Sequence, residues 1–251
     1  MSEVIQVLKQ YLSDESNTVH YFGDDSSIRW VTDMFYASNH FDHDAPDYVI
    51  VKNDDILIVE HFDIDCYKSD RHGSKFRQEK GRIDRSVNNI PATLEGKPYH
   101  YVVEGEPSFE NYILNLNTSF SNHYLKINNY KQNIVNEGFT NDFAKIKTLF
   151  LINDSSPVGT VTIDDSGNLQ PVISLLCSEF LDLFSKSDNL DYVLSTSMIN
   201  SEKLIYFADR NNLLNYYKEC IDYRQFRFLN AKPHTIGFKI AIPTPEDLKE
   251  R

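Results

Sequence analysis

Two β-rich runs, PDYVIV at 46–51 and ILIVEHF at 56–62, stand on either side of Lys52-Asn53-Asp54-Asp55 and constrain this chain more than any other feature. The turn composition between them predicts a β-hairpin. Val49 and Ile50 on one run, and Ile56, Leu57, Ile58 and Val59 on the other, are apolar at successive positions. Both faces of the hairpin therefore need cover, as in the middle of a sheet. A turn centred on Asn53 and Asp54 pairs Val51 with Ile56. Each step outward keeps that register and sets Asp47 opposite Glu60.

The flanking text supplies helices and further strands. Val4, Leu8 and Tyr11, with Ile5 and Leu12, recur at helical spacing. SSIRWVTDMFYA predicts a helix over 26–37, capped by Ser26 or Ser27, with Ile28, Val31 and Phe35 inward. After a loop over 66–72, Gly73-Ser74 opens a polar helix whose Phe76, Ile83 and Val87 form one narrow stripe ending near Pro91. One or two helices are expected over 108–137, a buried strand over 145–154, and a core helix over 172–185. A short strand over 192–198, a helix over 207–223 and a strand at HTIGFKIAI complete the pattern. No repeat, low-complexity block or long linker divides it, so one α+β domain over 1–251 is expected.

Composition narrows the function. Hydrophobic residues make up 41% of the 251, enough for a sizeable core. No apolar run approaches the roughly 18 residues that a membrane helix needs. Glu3 and Lys9 interrupt the start where a signal peptide would be apolar, so a cytoplasmic protein with no membrane partner is expected. Cys66, Cys177 and Cys220 are widely separated and read as ordinary thiols. A net charge of -12 opposes general adhesion to DNA, which needs clustered cations. The chain has no G-x-x-x-x-G-K-[ST], G-x-S-x-G, H-E-x-x-H or G-x-G-x-x-G. Tyr216, Tyr217 and Tyr223 read as core aromatics before base-stacking ones.

Like charges opposed across an antiparallel pair destabilise it, so Asp47 and Glu60 call for compensation. A divalent cation supplies it, since Mg²⁺ takes one or two carboxylates and completes its shell with water and phosphate oxygens. The plain alternative is a pair of carboxylates on a solvated sheet face.

Pro46-Asp47, then twelve residues, then Glu60 at the end of the second run resembles the PD-(D/E)XK nuclease superfamily over roughly residues 26–90. The resemblance implies a restriction-endonuclease-like core, a mixed central sheet flanked by helices, over about 26–165, with a C-terminal elaboration over about 166–251. It implies Mg²⁺ (or Mn²⁺) held by Asp47 and Glu60, with an acid from the preceding helix assisting, for which Asp33 is the candidate. It also implies a lysine two positions beyond Glu60, where this chain has Phe62. Family members are known to supply that lysine from a neighbouring element, and Lys75, or else Lys80, is the candidate here. His61 falls on the face opposite Glu60 and reads as a packed histidine. Asp63 and Asp65 share that face, and Asp42 and Asp44 lie nearby in the repeated HFD text.

From 66 to 85, seven basic residues stand against three acidic ones, a local surplus in an acidic chain. Arg71, Ser74, Arg77 and Lys80 are the candidates for phosphate-backbone contacts. A solvated helix face with internal pairs such as Lys75 with Glu79 is the equal alternative. The expected function is divalent-metal-dependent hydrolysis of DNA, as in bacterial restriction, phage defence or mobile elements, by a homodimer or beside a partner protein. The rival is a noncatalytic nuclease-fold module that binds nucleic acid or protein.

Overall fold

The computed structural model describes residues 18–22, 25–36, 39–42, 46–70, 73–74, 77–78, 81, 99–105, 107–156, 160–163, 166–171, 174–199, 202–212, 218, 222, 224, 226–228 and 234–240. The helix expected near the N-terminus lies outside them. In chain order, β1 is Thr18–Phe22, α1 Asp25–Phe35, β2 Asn39–Asp42, β3 Tyr48–Lys52 and β4 Asp55–Ile64. Two short strands, β5 Ser69–Asp70 and β6 Gly73–Ser74, precede β7 Tyr99–Gly105, α2 Phe109–Tyr124 and α3 Ile127–Asn136. Then come β8 Ile146–Asp154, β9 Thr160–Ile163, β10 Leu169–Pro171, α4 Ser178–Ser185, β11 Tyr192–Ile199, β12 Glu202–Asp209, β13 Arg227–Phe228 and β14 His234–Ile240.

The hairpin of β3 and β4 forms in the expected register, with Val51 opposite Ile56 and Tyr48 opposite Val59. Asn53 takes a left-handed φ of 56° in the two-residue turn, a conformation asparagine tolerates better than most residues. Lys145 Nζ donates to Asp54 Oδ2 at 2.8 Å and ties the turn to the start of β8.

The architecture is α+β, with a mixed central sheet in the order β1-β12-β11-β8-β4-β3-β2. β2, β3 and β4 form an antiparallel meander. β8 joins β4 in parallel, and β11 joins β8 in parallel. Parallel neighbours need crossovers, which α2 with α3 provides for the first pair and α4 for the second. On one sheet face, Phe62, Ile64, Phe150 and Ile152 pack against α2 and α4, and Val49, Ile56 and Ile58 pack against α3. On the other, Ile50, Leu57, Val59, Leu149, Leu151, Leu194 and Phe207 pack against Val31, Met34 and Phe35 of α1. Arg210, just after β12, donates to the backbone carbonyls of Phe184, Ser185 and Ser187 and so satisfies the C-terminal end of α4. Among the described residues no helix is long and apolar enough to cross a membrane.

Three expectations change. Helix α1 starts at Asp25, so Ser26 and Ser27 lie in its first turn, and the Ser27 hydroxyl donates to the buried Asp209. The expected core helix at 172–185 is confined to Ser178–Ser185, preceded by extended Cys177. Phe207 belongs to strand β12, not to a helix, because Leu204 to Ala208 pair with β11 on one side and β1 on the other.

Asp154, at the end of β8, is buried and accepts from Ser156 N–H at 3.0 Å. Burial pushes its carboxyl up to about 6, although the bonds from Ser156 hold it down. An unfolded chain releases that proton near pH 3.9, about two units lower. Between those values the folded state binds more protons, so this residue's contribution makes stability fall as pH rises from about 4 to about 6. The difference in unfolding free energy between wild type and Asp154→Asn, measured by urea titration from pH 4 to 7, should drift by on the order of 2 to 3 kcal/mol across the window. Equal pH slopes in the two proteins would refute the assignment.

Candidate metal centre

Along the β4 face that carries Ile56, Ile58, Phe62 and Ile64, one position is charged: Glu60 sits between the two apolar clusters and is 3% exposed. A carboxylate so buried persists only with partners. His123, in the last turn of α2, brings Nδ1 to 2.6 Å from Glu60 Oε1, and the Tyr130 hydroxyl of α3 donates to the same oxygen at 3.1 Å. An ionised carboxylate only accepts, so the proton in the shorter contact is carried by Nδ1. Burial, and then the Glu60 charge, pushes the Tyr130 phenol above its ordinary value and keeps it a donor. Glu60 Oε2 is buried and has no hydrogen-bond partner among the described residues.

Asp47 precedes β3, one residue before the Tyr48–Val59 pair that ends the ladder. Its Oδ2 accepts from the His61 N–H at 2.7 Å, so the side chain extends the ladder past the end of β3. Partial burial raises its carboxyl, the His61 N–H draws it down, and the Glu60 charge raises it again. The Glu60 charge is thus felt at Asp47, and one buried oxygen of Glu60 has no donor among the described residues. Among the described residues no group of three or more His, Cys, Asp or Glu side chains could hold a metal ion. Two carboxylate donors are nonetheless the share that Mg²⁺ ordinarily takes from a protein.

Phe62, two positions beyond Glu60, is buried with its ring stacked on His123 at a centroid distance of 4.6 Å and an interplanar angle of 13°. Phe150 meets it edge-on at 5.4 Å. Asp33 is not brought to the pair: it lies on α1, across the sheet, exposed, with Lys52 Nζ 3.4 Å away at the far end of the hairpin. His61 is partly exposed, with Nε2 3.7 Å from Asp63 Oδ1. Asp63 also accepts from Asn153 Nδ2 at 2.8 Å. Lys75, Lys80, Arg71 and Asp44 lie outside the described residues.

Two of the residues read as phosphate contacts serve the interior instead. Asp65 is fully buried just past β4 and accepts from the Ser74 hydroxyl and from Tyr67 N–H at 2.9 Å. Arg77 Nε lies 2.9 Å from Asp65 Oδ2, an ion pair in which the N–H is not aimed at the oxygen. Its Nη1 donates to Asp63 O at 3.0 Å. Ser74 Oγ, in β6, accepts from Arg77 N–H at 3.1 Å, and most of the helix expected after Gly73-Ser74 lies outside the described residues.

The sequence reading missed His123 and Tyr130. The signal lay in helical spacing: Phe109, Tyr112, Leu116 and Phe120 form the buried stripe of α2, and His123 falls on its continuation. Tyr130 sits likewise between Ile127 and Ile134 on α3. Nothing local marks Glu60 as their partner.

No family model, no curated protein and no solved structure matches the chain.

Replacing Arg77 by Met removes the cation beside a buried carboxylate and should cost about 3 kcal/mol, in the range for breaking a buried pair. Urea unfolding of Arg77→Met checks this. A change within about 0.5 kcal/mol would mark a surface residue instead.

Proposed function

We propose that this protein is a divalent-metal-dependent nuclease, with a restriction-endonuclease-like core, that hydrolyses phosphodiester bonds in DNA. The observation that carries the reading is Glu60 Oε2, a buried carboxylate oxygen without a donor among the described residues, whose charge also acts on Asp47. Burying such an oxygen is unfavourable unless a cation or donor arrives. The order of elements adds support: a helix, a three-stranded meander, helices and a parallel strand make the mixed, helix-flanked sheet that the resemblance implies.

In this reading Asp47 and Glu60 hold Mg²⁺ or Mn²⁺, which supplies Lewis acidity and a water of lowered pKa. His123 and Tyr130 fix Glu60 through Oε1, and the His61 N–H fixes Asp47 through Oδ2. The partly exposed Asp47 and His123 form the side of the site nearest solvent, while Glu60 is closed off. The resemblance also implies a lysine for this site, for which Lys75 or Lys80 is the candidate. Restriction, defence or a mobile element is the setting that this chemistry fits.

One observation favours the noncatalytic module: an aromatic ring occupies the lysine position, and Ser74 and Arg77 are committed to Asp65. Cleavage of plasmid and single-stranded DNA under Mg²⁺ and Mn²⁺ separates the two. The wild type should cut, and Glu60→Gln and Asp47→Asn should each lose on the order of a hundredfold or more, equivalent to about 3 kcal/mol of transition-state stabilisation. No cleavage by folded wild type with either metal, together with a DNA gel shift, would sink the nuclease reading and leave the module.

A further inference from the structure

The bonds around Glu60 are unequal in a way that bears on which ion the site takes. Both donors converge on Oε1, and none reaches Oε2. A carboxylate binds a cation through both oxygens only when both are free. Ca²⁺ takes six to eight oxygens in flexible shells and often uses bidentate carboxylates, whereas Mg²⁺ needs a tight octahedron. Mn²⁺ accepts the same octahedral oxygen environment.

The imidazole that occupies Oε1 is itself held. Phe62 stacks on one of its faces at 4.6 Å, and Phe150 lies at 6.5 Å with its plane turned by 79°. His123 and Glu60 are 63 residues apart in sequence, so the bond also fixes α2 against β4. Phe62 thereby gains a role of its own: it keeps the histidine ring in the plane from which Nδ1 meets Oε1.

We propose that His123 is a positioning residue that limits Glu60 to one cation-binding oxygen, so that the site prefers Mg²⁺ and Mn²⁺ over Ca²⁺. This rests on the metal-site reading of Asp47 and Glu60. It implies that loss of the imidazole leaves Oε1 held only by the longer Tyr130 bond, weakens the small ions and narrows the gap to Ca²⁺. An amide nitrogen that can stand near the place of Nδ1 should preserve the preference.

The test is titration calorimetry of the metal-free full chain with MnCl₂ and separately with CaCl₂, with melting temperature recorded for each protein. Wild type should bind Mn²⁺ more tightly than Ca²⁺. His123→Ala should bind Mn²⁺ about ten- to a hundredfold more weakly, the usual effect of removing a partner behind a metal ligand. Its Ca²⁺ affinity should fall less, so that the Mn²⁺/Ca²⁺ ratio collapses, while His123→Asn restores the wild-type ratio. Should His123→Ala fail to fold, Phe62→Leu should show a smaller shift in the same direction. A folded His123→Ala with the wild-type ratio would overturn the proposal and leave the metal site standing, as would a wild type that binds both ions equally. A wild type that binds neither ion would remove the metal site and the proposal together.

Discussion

Strand β4 is apolar on both faces from Ile56 to Val59, and that double burial is the constraint from which the rest of the described structure follows. A strand of this kind cannot lie at an edge or on a solvated face. It needs a hydrogen-bonded neighbour on each side, which β3 and β8 provide, and a helical layer above and below. The three-residue stripe Val31, Met34 and Phe35 covers one face, and α2 and α3 cover the other. Because β8 runs parallel to β4, the chain must cross the whole sheet between them. That crossing carries His123 and Tyr130 over Glu60.

Polar groups set into so apolar a strand are expensive, and the molecule treats its two carboxylates in opposite ways. Asp65 is surrounded by donors: a hydroxyl, a backbone N–H, the Asn115 amide and the Arg77 guanidinium. It reads as a finished structural centre that fastens the segment after β4 to α2. Glu60 is supported on one oxygen and left bare on the other. Asp65, next to the end of β4, thus shows what a well-compensated buried carboxylate looks like, and Glu60 departs from it at one atom.

What the sequence disclosed follows the range of the interactions. The hairpin register was legible because a two-residue turn and a period of two fix it locally. So were β8 and the pair α2 and α3, whose apolar spacing is unbroken. Strand β12 was not, since Leu204 to Ala208 form a short apolar run that a helix also accommodates, and only the neighbours β1 and β11 decide it. Asp47 and Glu60 could be named as a pair because their proximity depends on one turn. The place of Asp33 could not be read, because it depends on which sheet face α1 covers, and α1 packs on the face opposite Glu60. His123 was equally hidden, for its partner lies across a crossover whose path no local pattern records.

The aromatic at position 62 has a physical logic in its surroundings. A lysine there would point into a wall of Phe150, Phe120 and the His123 ring, where a desolvated ammonium is strongly disfavoured. A phenyl ring belongs in that wall and brings the imidazole with it. The side-chain nitrogen that meets Glu60 Oε1 therefore comes from α2. Under the nuclease reading, Glu60 is held by a group that arrives with the helical layer, so the geometry of the site depends on how α2 docks on the sheet as much as on the hairpin itself.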